Sequence, residues 1–438
     1  MTDLHALDRR DFLKYSGACA GAMATLGMPD MAFATVPGLT KKLIVIELAG
    51  GMDSAFTFAV PYDEAAYREL RPNIYLKRPG EAARPDLFGW GDVGGVFHLG
   101  ETSGSLIPLG MHPNAVELHQ MFQNRELQVY HTTNLHQWDA QVELSHFDEA
   151  VRMYNGMNVR GANDQSRGWM NRLLGLFNGQ ISSGVQMPQT ASPGGLAVTG
   201  DTYLHPILRG ETPAGMINSP ITSSNNADMV ARLRSILGAQ GMVSGLLQQG
   251  LQTQNNIIAS LAGHNTSNFN APISGFITQC MVAATMLTGN AATAPSMAVL
   301  KLPGWDFHSM NSYSHELVRI LSLGINNLVT TLKAANMFQD TMIVVMSEFG
   351  RAVAQNTSNG TDHGTHQAAL IISGNPALQF SSVSEGLVGT YNGLASRNSS
   401  NHIMPTSNFM AVLRDRLGTH FGLSAAQKQA VMPLSNLV

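Results

Sequence analysis

The amino-acid sequence predicts an α/β protein in which helices cover both faces of a mostly parallel sheet. Short, continuous apolar runs, the pattern of strands buried on both faces, alternate along the chain with segments whose apolar residues recur at helical spacing. The length of 438 residues suits one large α/β domain or two smaller ones. No Pro/Ser-rich linker divides the chain beyond residue 34, so we predict one domain over residues 35–438.

The strands and helices of this domain follow one another in a regular order. We predict strands at residues 42–48, 127–131, 296–300, 341–346 and 368–372. We predict helices at residues 114–124, 139–153, 166–177, 312–336 and 407–421. Because open α/β sheets bind ligands at the carboxyl ends of their strands, the residues after each strand are candidates for a site.

The composition argues against several classes of protein. Charged residues make up 13% of the chain and hydrophobic residues 44%, whereas disordered chains combine few apolar residues with high net charge. A net charge of −4 without runs of Lys or Arg argues against a dedicated nucleic-acid-binding protein. The two cysteines, Cys19 and Cys280, exclude a disulfide framework and a cysteine-rich zinc module.

The first 34 residues have the features of a bacterial twin-arginine signal peptide. Arg9 and Arg10 begin the stretch RRDFLK, an uncharged small-residue run follows over residues 15–29, and residues 32–34 (AFA) provide a cleavage site. The alternative to a signal peptide is an ordinary amphipathic helix. The small-residue run over residues 15–29 is too short and too rich in Gly and Ala for a good membrane span. We therefore expect the twin-arginine translocase to export the folded chain, which makes the protein periplasmic or extracellular.

One segment differs from the rest of the domain, because residues 235–300 contain no Asp, Glu, Lys or Arg. Apolar residues recur there at broadly helical spacing, so we predict a helical insertion over residues 225–295. The insertion is either a buried helical hairpin on the sheet or a surface for a protein partner or for self-association through residues 235–300. Its Thr, Gln and Gly content argues against a transmembrane helix.

Carboxylates and imidazoles cluster in the loops after the predicted strands, where they form a pool of metal ligands. The pool consists of Asp53, Asp306, His308, Glu348, Asp362, His363 and His366. Ligands of this mix suit one or two divalent ions such as zinc, manganese, magnesium or calcium. The carboxylates balance the charge of two divalent ions, which can stabilise attacking and leaving oxygens together. Arg351 offers a planar fork for a phosphate or sulfate group.

Each member of this pool also has an ordinary structural interpretation. A single Asp after two glycines, as at Asp53, is commonly a turn residue. A salt bridge to Arg351 is an alternative role for Glu348. The joint pattern, rather than any single residue, therefore predicts the site.

These motifs resemble a bacterial family of twin-arginine-exported proteins of unknown function, which is assigned to the alkaline phosphatase/sulfatase-like superfamily. The resemblance spans nearly the whole chain after the signal peptide. The matching stretches are Gly50-Gly51-Met52-Asp53, Val60-Pro61-Tyr62, Arg71-Pro72, His112-Pro113, Ser145-His146-Phe147-Asp148, Gly168-Trp169, Gly304-Trp305-Asp306-Phe307-His308, Ser347-Glu348-Phe349-Gly350-Arg351 and Thr361-Asp362-His363-Gly364.

The resemblance implies a three-layer αβα sandwich of the alkaline-phosphatase type, with metal ligands at the carboxyl ends of the strands. The implied ligands are Asp53, Asp306, His308, Asp362 and His363. The chain departs from the superfamily pattern at Glu348-Phe349, where many members have Asp-His. This departure puts the second metal ion in question.

Superfamily hydrolases form a covalent intermediate on Ser, Thr or a modified Cys. We rank Ser145 first and Ser54 second as the nucleophile, and we count His146 and Arg351 as the other catalytic residues. The alternatives are a local cap for Ser145 and a core histidine for His146. Cys280 lies in the apolar segment without the sulfatase motif, which argues against a sulfatase with a modified cysteine.

These observations predict an exported, metal-dependent hydrolase of phosphate or sulfate esters, acting on a small-molecule or polymer substrate. The alternative is a non-catalytic envelope protein that keeps the fold and one structural ion. In that case the charge-free segment would be its docking surface.

Overall fold

The computed structural model of the chain describes residues 32–34, 39–82, 94–102, 106–135, 144–156, 168–177, 276–277, 279–281, 283–284, 287–288, 296–310 and 312–434. The predicted signal peptide, apart from residues 32–34, and most of the predicted insertion over residues 225–295 lie outside these residues. Within the described part of the chain, no helix is both long enough and apolar enough to cross a membrane.

The described residues form one large sheet and two separate hairpins. The strands are β1 (Ala32–Ala34), β2 (Lys42–Ala49), β3 (Phe97–Glu101), β4 (Pro108–Met111), β5 (Leu127–Asn134), β6 (Met297–Pro303), β7 (Thr341–Met346), β8 (Gly350–Gln355), β9 (Thr361–Gly364), β10 (Gln367–Ser373), β11 (Leu387–Val388) and β12 (Ser407–Asn408). The large sheet has eight strands in the order β1-β6-β2-β7-β10-β5-β11, with β12 also paired to β5. The hairpins β3–β4 and β8–β9 lie outside this sheet.

The sheet is mixed, which confirms the α/β class, and four of the seven pairings among its described strands are parallel. Its centre is parallel, because β2 runs parallel to both β6 and β7. β10 runs antiparallel to β7 and to β5, and β1 runs antiparallel to β6. Parallel neighbours need a long crossover, whereas the chain passes from β7 to β10 through the β8–β9 hairpin and returns in the opposite direction.

Helices pack on both faces of the sheet. They are α1 (Ala65–Leu70), α2 (Val116–Gln123), α3 (His146–Asn155), α4 (Trp169–Phe177), α5 (Ser312–Ala334), α6 (Phe409–Phe421) and α7 (Ala425–Val431). Ile44 and Ile46 of β2 belong to a hydrophobic cluster with α2 and α5, while Leu43 and Val45 belong to another with α3, α4 and α6. β2 is therefore buried on both faces, as its continuous apolar run predicts.

The predicted elements agree with this structure where the apolar pattern is strong. The five predicted strands overlap β2, β5, β6, β7 and β10, and four of the predicted helices overlap α2, α4, α5 and α6. Residues 139–143 of the helix predicted over residues 139–153 lie outside the described residues, and the described helix begins at His146, where Ser145 caps its first turn. The short strands of the two hairpins were not predicted, since polar and glycine residues interrupt their patterns.

The loops that follow three of the strands lie at one edge of the sheet. Because β6, β2 and β7 are parallel neighbours, Gly50, Gly304 and Ser347 all follow at the same edge. The β8–β9 hairpin, in which Arg351 pairs with His363, lies against this edge. The edge is where the candidate site forms.

Candidate metal centre

Three side chains meet at the carboxyl end of the central strands. His146 begins α3, Asp306 lies in the loop after β6, and His363 belongs to β9. One donor atom from each lies within 4.8 Å of the other two, and we call these three residues the ligand cluster. The Nε2 atoms of His146 and His363 each lie 3.6 Å from Oδ1 of Asp306. All three side chains are partly exposed, although the Nε2 atom of His146 is itself buried.

His308 extends the ligand cluster on one side. Its Nε2 atom lies 3.2 Å from Oδ1 of Asp306 and 3.1 Å from Nε2 of His363. Three imidazoles therefore direct their Nε2 atoms toward one carboxylate oxygen.

The other ring nitrogen of each imidazole faces an acceptor. Nδ1 of His146 lies 2.8 Å from Oε1 of Glu348, and Nδ1 of His363 lies 2.7 Å from the carbonyl oxygen of Leu144. Nδ1 of His308 lies 3.2 Å from Oδ1 of Asp362. Since these partners accept, each Nδ1–H donates, and the neutral ring then carries a lone pair on Nε2. Burial lowers the pKa of His363, although the hydrogen bond to Leu144 acts to raise it. The lowered pKa favours the neutral ring.

This arrangement fits a divalent cation. With these tautomers, lone pairs from three imidazoles face Oδ1 of Asp306, which also accepts from Nη2 of Arg351. A cation between the imidazoles and the carboxylate would reduce their mutual repulsion. The Nε2 atom of His146 is buried and has no hydrogen-bond partner among the described residues. Tetrahedral zinc bonds of ~2.0–2.2 Å place neighbouring ligand atoms about 3.3–3.6 Å apart. The separations of Oδ1 of Asp306 from Nε2 of His146 and from Nε2 of His363, both 3.6 Å, lie in this range, whereas the two separations to His308, 3.1 and 3.2 Å, are shorter.

Glu348 lies behind His146, in a buried position. Its Oε1 accepts from the backbone N–H of Gly50 at 2.8 Å as well as from His146, and its Oε2 accepts from Oγ of Ser347 at 2.9 Å. Burial alone would raise the pKa of Glu348, but these hydrogen bonds, led by that of His146, hold it below its usual value. The predicted salt bridge to Arg351 is absent from the described ion pairs, and Glu348 instead orients His146.

Phe349 supports two imidazoles at once. Its buried ring lies 4.7 Å, centroid to centroid, from both His146 and His363. Gly51 makes room for this ring, because a Cβ at Gly51 would lie 2.3 Å from Cε2 of Phe349. The Phe349 ring thus provides an aromatic support beneath the ligand cluster.

Arg351 does not have the role predicted for it, because its side chain is buried and its nitrogens are occupied. Nε donates to the carbonyl of Gly51 at 2.8 Å, Nη1 donates to that of Thr361 at 2.9 Å, and Nη2 donates to Gly50 and to the carboxylate of Asp306. Burial raises the pKa of Asp306, but the hydrogen bond and charge of Arg351 bring it below the usual value. Arg351 therefore holds Asp306 ionised and is not free to bind an oxyanion.

Asp53 lies outside the ligand cluster, contrary to its prediction as a ligand. Nη1 and Nη2 of Arg71 donate to its two carboxylate oxygens at 2.8 and 3.0 Å, and Oγ1 of Thr361 donates at 3.3 Å. Both Asp53 and Arg71 are buried. The charge of Asp53 is therefore neutralised by Arg71 rather than directed at the ligand cluster.

His366 also lies outside the ligand cluster, in contact with Ser54. Oγ of Ser54 lies 3.0 Å from Nε2 of His366, and both residues are buried. Burial lowers the pKa of His366 to about 3. Its position as a buried neutral histidine removes it from the predicted ligand pool, and the burial of Ser54 makes it a poor nucleophile for an external substrate.

Ser145 lies next to the ligand cluster along the chain. It is the N-cap of α3, where its Oγ accepts from the backbone N–H of Asp148 at 3.5 Å. Leu144 before it and His146 after it both contact or belong to the ligand cluster. The predicted cap is thus present, and the hydroxyl lies at the amino end of a helix.

Sequence reasoning brought most of these residues together but missed several contributions. Asp306, His308, Glu348, Asp362 and His363 do meet at one edge. The support of Phe349 and the carbonyl of Leu144 had no sequence signal, because they depend on tertiary contacts. His146 was predicted as a catalytic residue, and the structure places it in the ligand cluster.

Comparison with known proteins gives one result. Residues 132–376, more than half of the chain, match the family described as Protein of unknown function (DUF1501). Neither the curated proteins nor the solved structures contain a match to this chain.

Proposed function

The chain belongs to the family Protein of unknown function (DUF1501), and we propose that it is an exported, metal-dependent hydrolase of phosphate or sulfate esters. The observation that carries the proposal is the convergence of His146, Asp306 and His363 at the carboxyl end of parallel strands. Such an edge is where open α/β sheets bind ligands. The partly exposed side chains leave room for an ester to approach.

We further propose membership of the alkaline phosphatase/sulfatase-like superfamily, with its fold. Support comes from the parallel centre β6-β2-β7, from helices on both faces, and from ligands in the loops after β6 and β7. The pairing of Asp53 with Arg71 favours one ion at the ligand cluster over two, since it withdraws the first-strand carboxylate.

The residues of the ligand cluster are suited to this chemistry. A divalent ion held there would supply Lewis-acid stabilisation of negative charge on a phosphoryl or sulfuryl oxygen. Arg351 keeps Asp306 ionised, and Glu348, Asp362 and Leu144 fix the ring orientations, so the donors are preorganised. Preorganised groups need little rearrangement during a reaction, which favours catalysis.

Ser145 is the proposed nucleophile. Its hydroxyl stands at the amino end of α3, where backbone N–H groups and the helix dipole favour an anionic group. The oxygen of Ser145 would bond to the phosphorus or sulfur atom as the ester alcohol leaves with a proton. Water would then cleave the bond to serine and release phosphate or sulfate.

The test combines metal analysis with turnover of aryl phosphates and aryl sulfates. Purified protein should contain a divalent metal, and chelation should abolish turnover and lower thermal stability. His363→Ala should lose both metal and turnover, whereas the control His119→Ala, a histidine of α2 that contacts Gln123 and Phe97, should keep both. A metal-free chain whose stability ignores chelators would refute the proposal.

Export by the twin-arginine translocase is a separate part of the proposal. It is supported by Arg9, Arg10 and the small-residue run that follows them. Replacing both arginines with lysine should leave the chain in the cytoplasm, whereas the unchanged chain should be recovered from the periplasm or medium. Unchanged export of the double variant would contradict this route.

A non-catalytic envelope protein with one structural ion is the second candidate. It is favoured by two internal ion pairs, that of Asp53 with Arg71 and that of Arg351 with Asp306. Asp53 and Arg351 were expected to act on metal or substrate instead. This protein would bind metal but turn over no ester, and a partner captured with it should require residues 235–300. Loss of aryl ester turnover in folded, metal-bound Ser145→Ala would exclude it.

A further inference from the structure

We infer that His146 is a metal ligand held in place by Glu348, and that the ligand cluster binds zinc in preference to magnesium or calcium. Both roles differ from the sequence predictions, in which Glu348 is a ligand and His146 a catalytic residue. The inference rests on the metal-binding part of the proposed function and is independent of hydrolysis.

The geometry of His146 is that of a ligand. Its Nδ1–H donates to Glu348 at 2.8 Å, which leaves the lone pair on Nε2. This Nε2 atom is buried, has no hydrogen-bond partner among the described residues, and lies 3.6 Å from Oδ1 of Asp306. An imidazole acting only as a core histidine would have a donor facing Nε2, because buried polar atoms are normally paired.

Glu348 is a positioning residue rather than a ligand. Gly50, His146 and Ser347 donate to its two oxygens, and its side chain is only 4% exposed. A carboxylate that accepts from the far nitrogen of a histidine ligand fixes the ring and increases its basicity. Glu348 has this relation to His146, as the carbonyl of Leu144 has to His363.

The donor set decides which metal is favoured. Magnesium and calcium take oxygen ligands almost exclusively, whereas zinc accepts imidazole nitrogen together with carboxylate oxygen. The ligand cluster offers two imidazoles and one carboxylate, and His308 adds a third imidazole beside them. Two or three nitrogen donors to one oxygen favour zinc.

Zinc binding should be measured by competition with a chromophoric chelator, using full-length protein first stripped of metal. Glu348→Gln should weaken zinc affinity about 10–100-fold, as is usual when such a supporting residue is lost. His146→Ala should weaken it further, and because His146 is partly exposed at a helix start, this variant avoids disturbing the core. The control Glu126→Gln, whose carboxylate pairs with Lys333, should bind zinc as the unchanged protein does.

Cobalt substitution gives a second measurement that does not depend on turnover. The unchanged protein should show an intense visible absorption typical of low-coordinate cobalt with nitrogen ligands, and His146→Ala should shift or lose it. Magnesium or calcium in a thousandfold excess over zinc should not displace zinc from the protein. Unchanged zinc affinity in folded His146→Ala, or displacement by magnesium or calcium, would overturn the inference.

These outcomes are distinguishable from failure of the proposed function. A protein that binds zinc through His146 but cleaves no ester would retain the inference and lose the hydrolase. A protein that cleaves esters with magnesium and is indifferent to His146→Ala would retain a hydrolase and lose the inference.

Discussion

Arg71 and Asp53 form a buried, two-pronged ion pair, with Nη1 to Oδ2 at 2.8 Å and Nη2 to Oδ1 at 3.0 Å. Arg71 also donates to the carbonyls of Ala352 and Val353 in β8. The pair therefore joins the loop after β2 to the hairpin that carries His363. Its role is to fix the hairpin rather than to bind metal.

Asp53→Ala should destabilise the protein by about 3–5 kcal/mol, because it leaves the buried guanidinium of Arg71 without its counter-charge. Urea unfolding should measure this loss, while the folded fraction keeps its metal. The control Glu81→Ala removes a partly exposed ion pair with Arg68 and should cost about 1 kcal/mol or less. A variant that is fully stable but metal-free would instead identify Asp53 as a ligand.

The sequence predicted the main strands because burial on both faces is encoded locally. Continuous apolar runs such as residues 341–346 reveal it without knowledge of their neighbours. The direction of β10 could not be predicted, because its apolar pattern is the same in a parallel or an antiparallel pairing. The mixed topology is therefore a tertiary property.

The candidate site was predictable to a similar extent. The location of Asp306 and Glu348 at this edge could be predicted because each follows a strand of the parallel centre. The role of Arg351 was predicted wrongly, because its partners include the backbone carbonyls of Gly51 and Thr361, which have no residue-type signature. The pairing of Asp53 with Arg71 likewise depends on how the loop after β2 meets β8.

Gly350→Ala should disturb the site through the backbone. A Cβ at this position would lie 1.5 Å from the carbonyl oxygen of His366, so β8 and the start of β10 would have to separate. We expect a loss of about 1–3 kcal/mol or more in urea unfolding, with weaker zinc binding because the hairpin carries His363.

Gly80→Ala is the matched control for this substitution. A Cβ at Gly80 would meet no atom within 4 Å, but the residue has a φ of +72°, so only backbone strain of about 1–2 kcal/mol applies. Its zinc affinity should be unchanged. Equal zinc affinity in the two variants would contradict the link between β8 spacing and the ligand cluster.

Ser145→Ala separates capping from catalysis. If Ser145 is the nucleophile, turnover should fall at least about a thousandfold, the scale seen when a covalent nucleophile is removed. Metal content should stay unchanged, and the lost cap should cost about 1 kcal/mol or less, since its contact with Asp148 is long at 3.5 Å.

Ser424→Ala provides the comparison, because Ser424 caps α7 through the backbone N–H of Gln427. It should lose about 1 kcal/mol of stability and no turnover. Full turnover in Ser145→Ala would assign the nucleophile elsewhere.

Acid should destabilise the protein through buried neutral histidines, and His420 allows the clearest measurement. Its Nε2–H donates to the carbonyl of Lys42 at 3.0 Å, and Nδ1 accepts from the side chain of Asn375 at 3.4 Å. Burial lowers the pKa of His420 to about 4, with Lys41 and Asp340 as the nearby charges acting in opposite directions. Protonation would add a hydrogen to Nδ1 of His420. Two donors, this N–H and the side-chain N–H of Asn375, would then face each other.

The direction of the pH effect follows from these values. An unfolded histidine has a pKa of about 6.5, so between this pH and about 4 the unfolded state binds the extra proton and the free energy of unfolding falls as pH falls. His420→Gln keeps a donor and an acceptor but removes this titration. The free energy of unfolding should be measured with urea from pH 7 to pH 4.5. Its decrease per pH unit should be smaller in the variant than in the unchanged protein, by up to about 1.4 kcal/mol. Identical slopes would mean that His420 is already charged in the folded state or remains accessible to water.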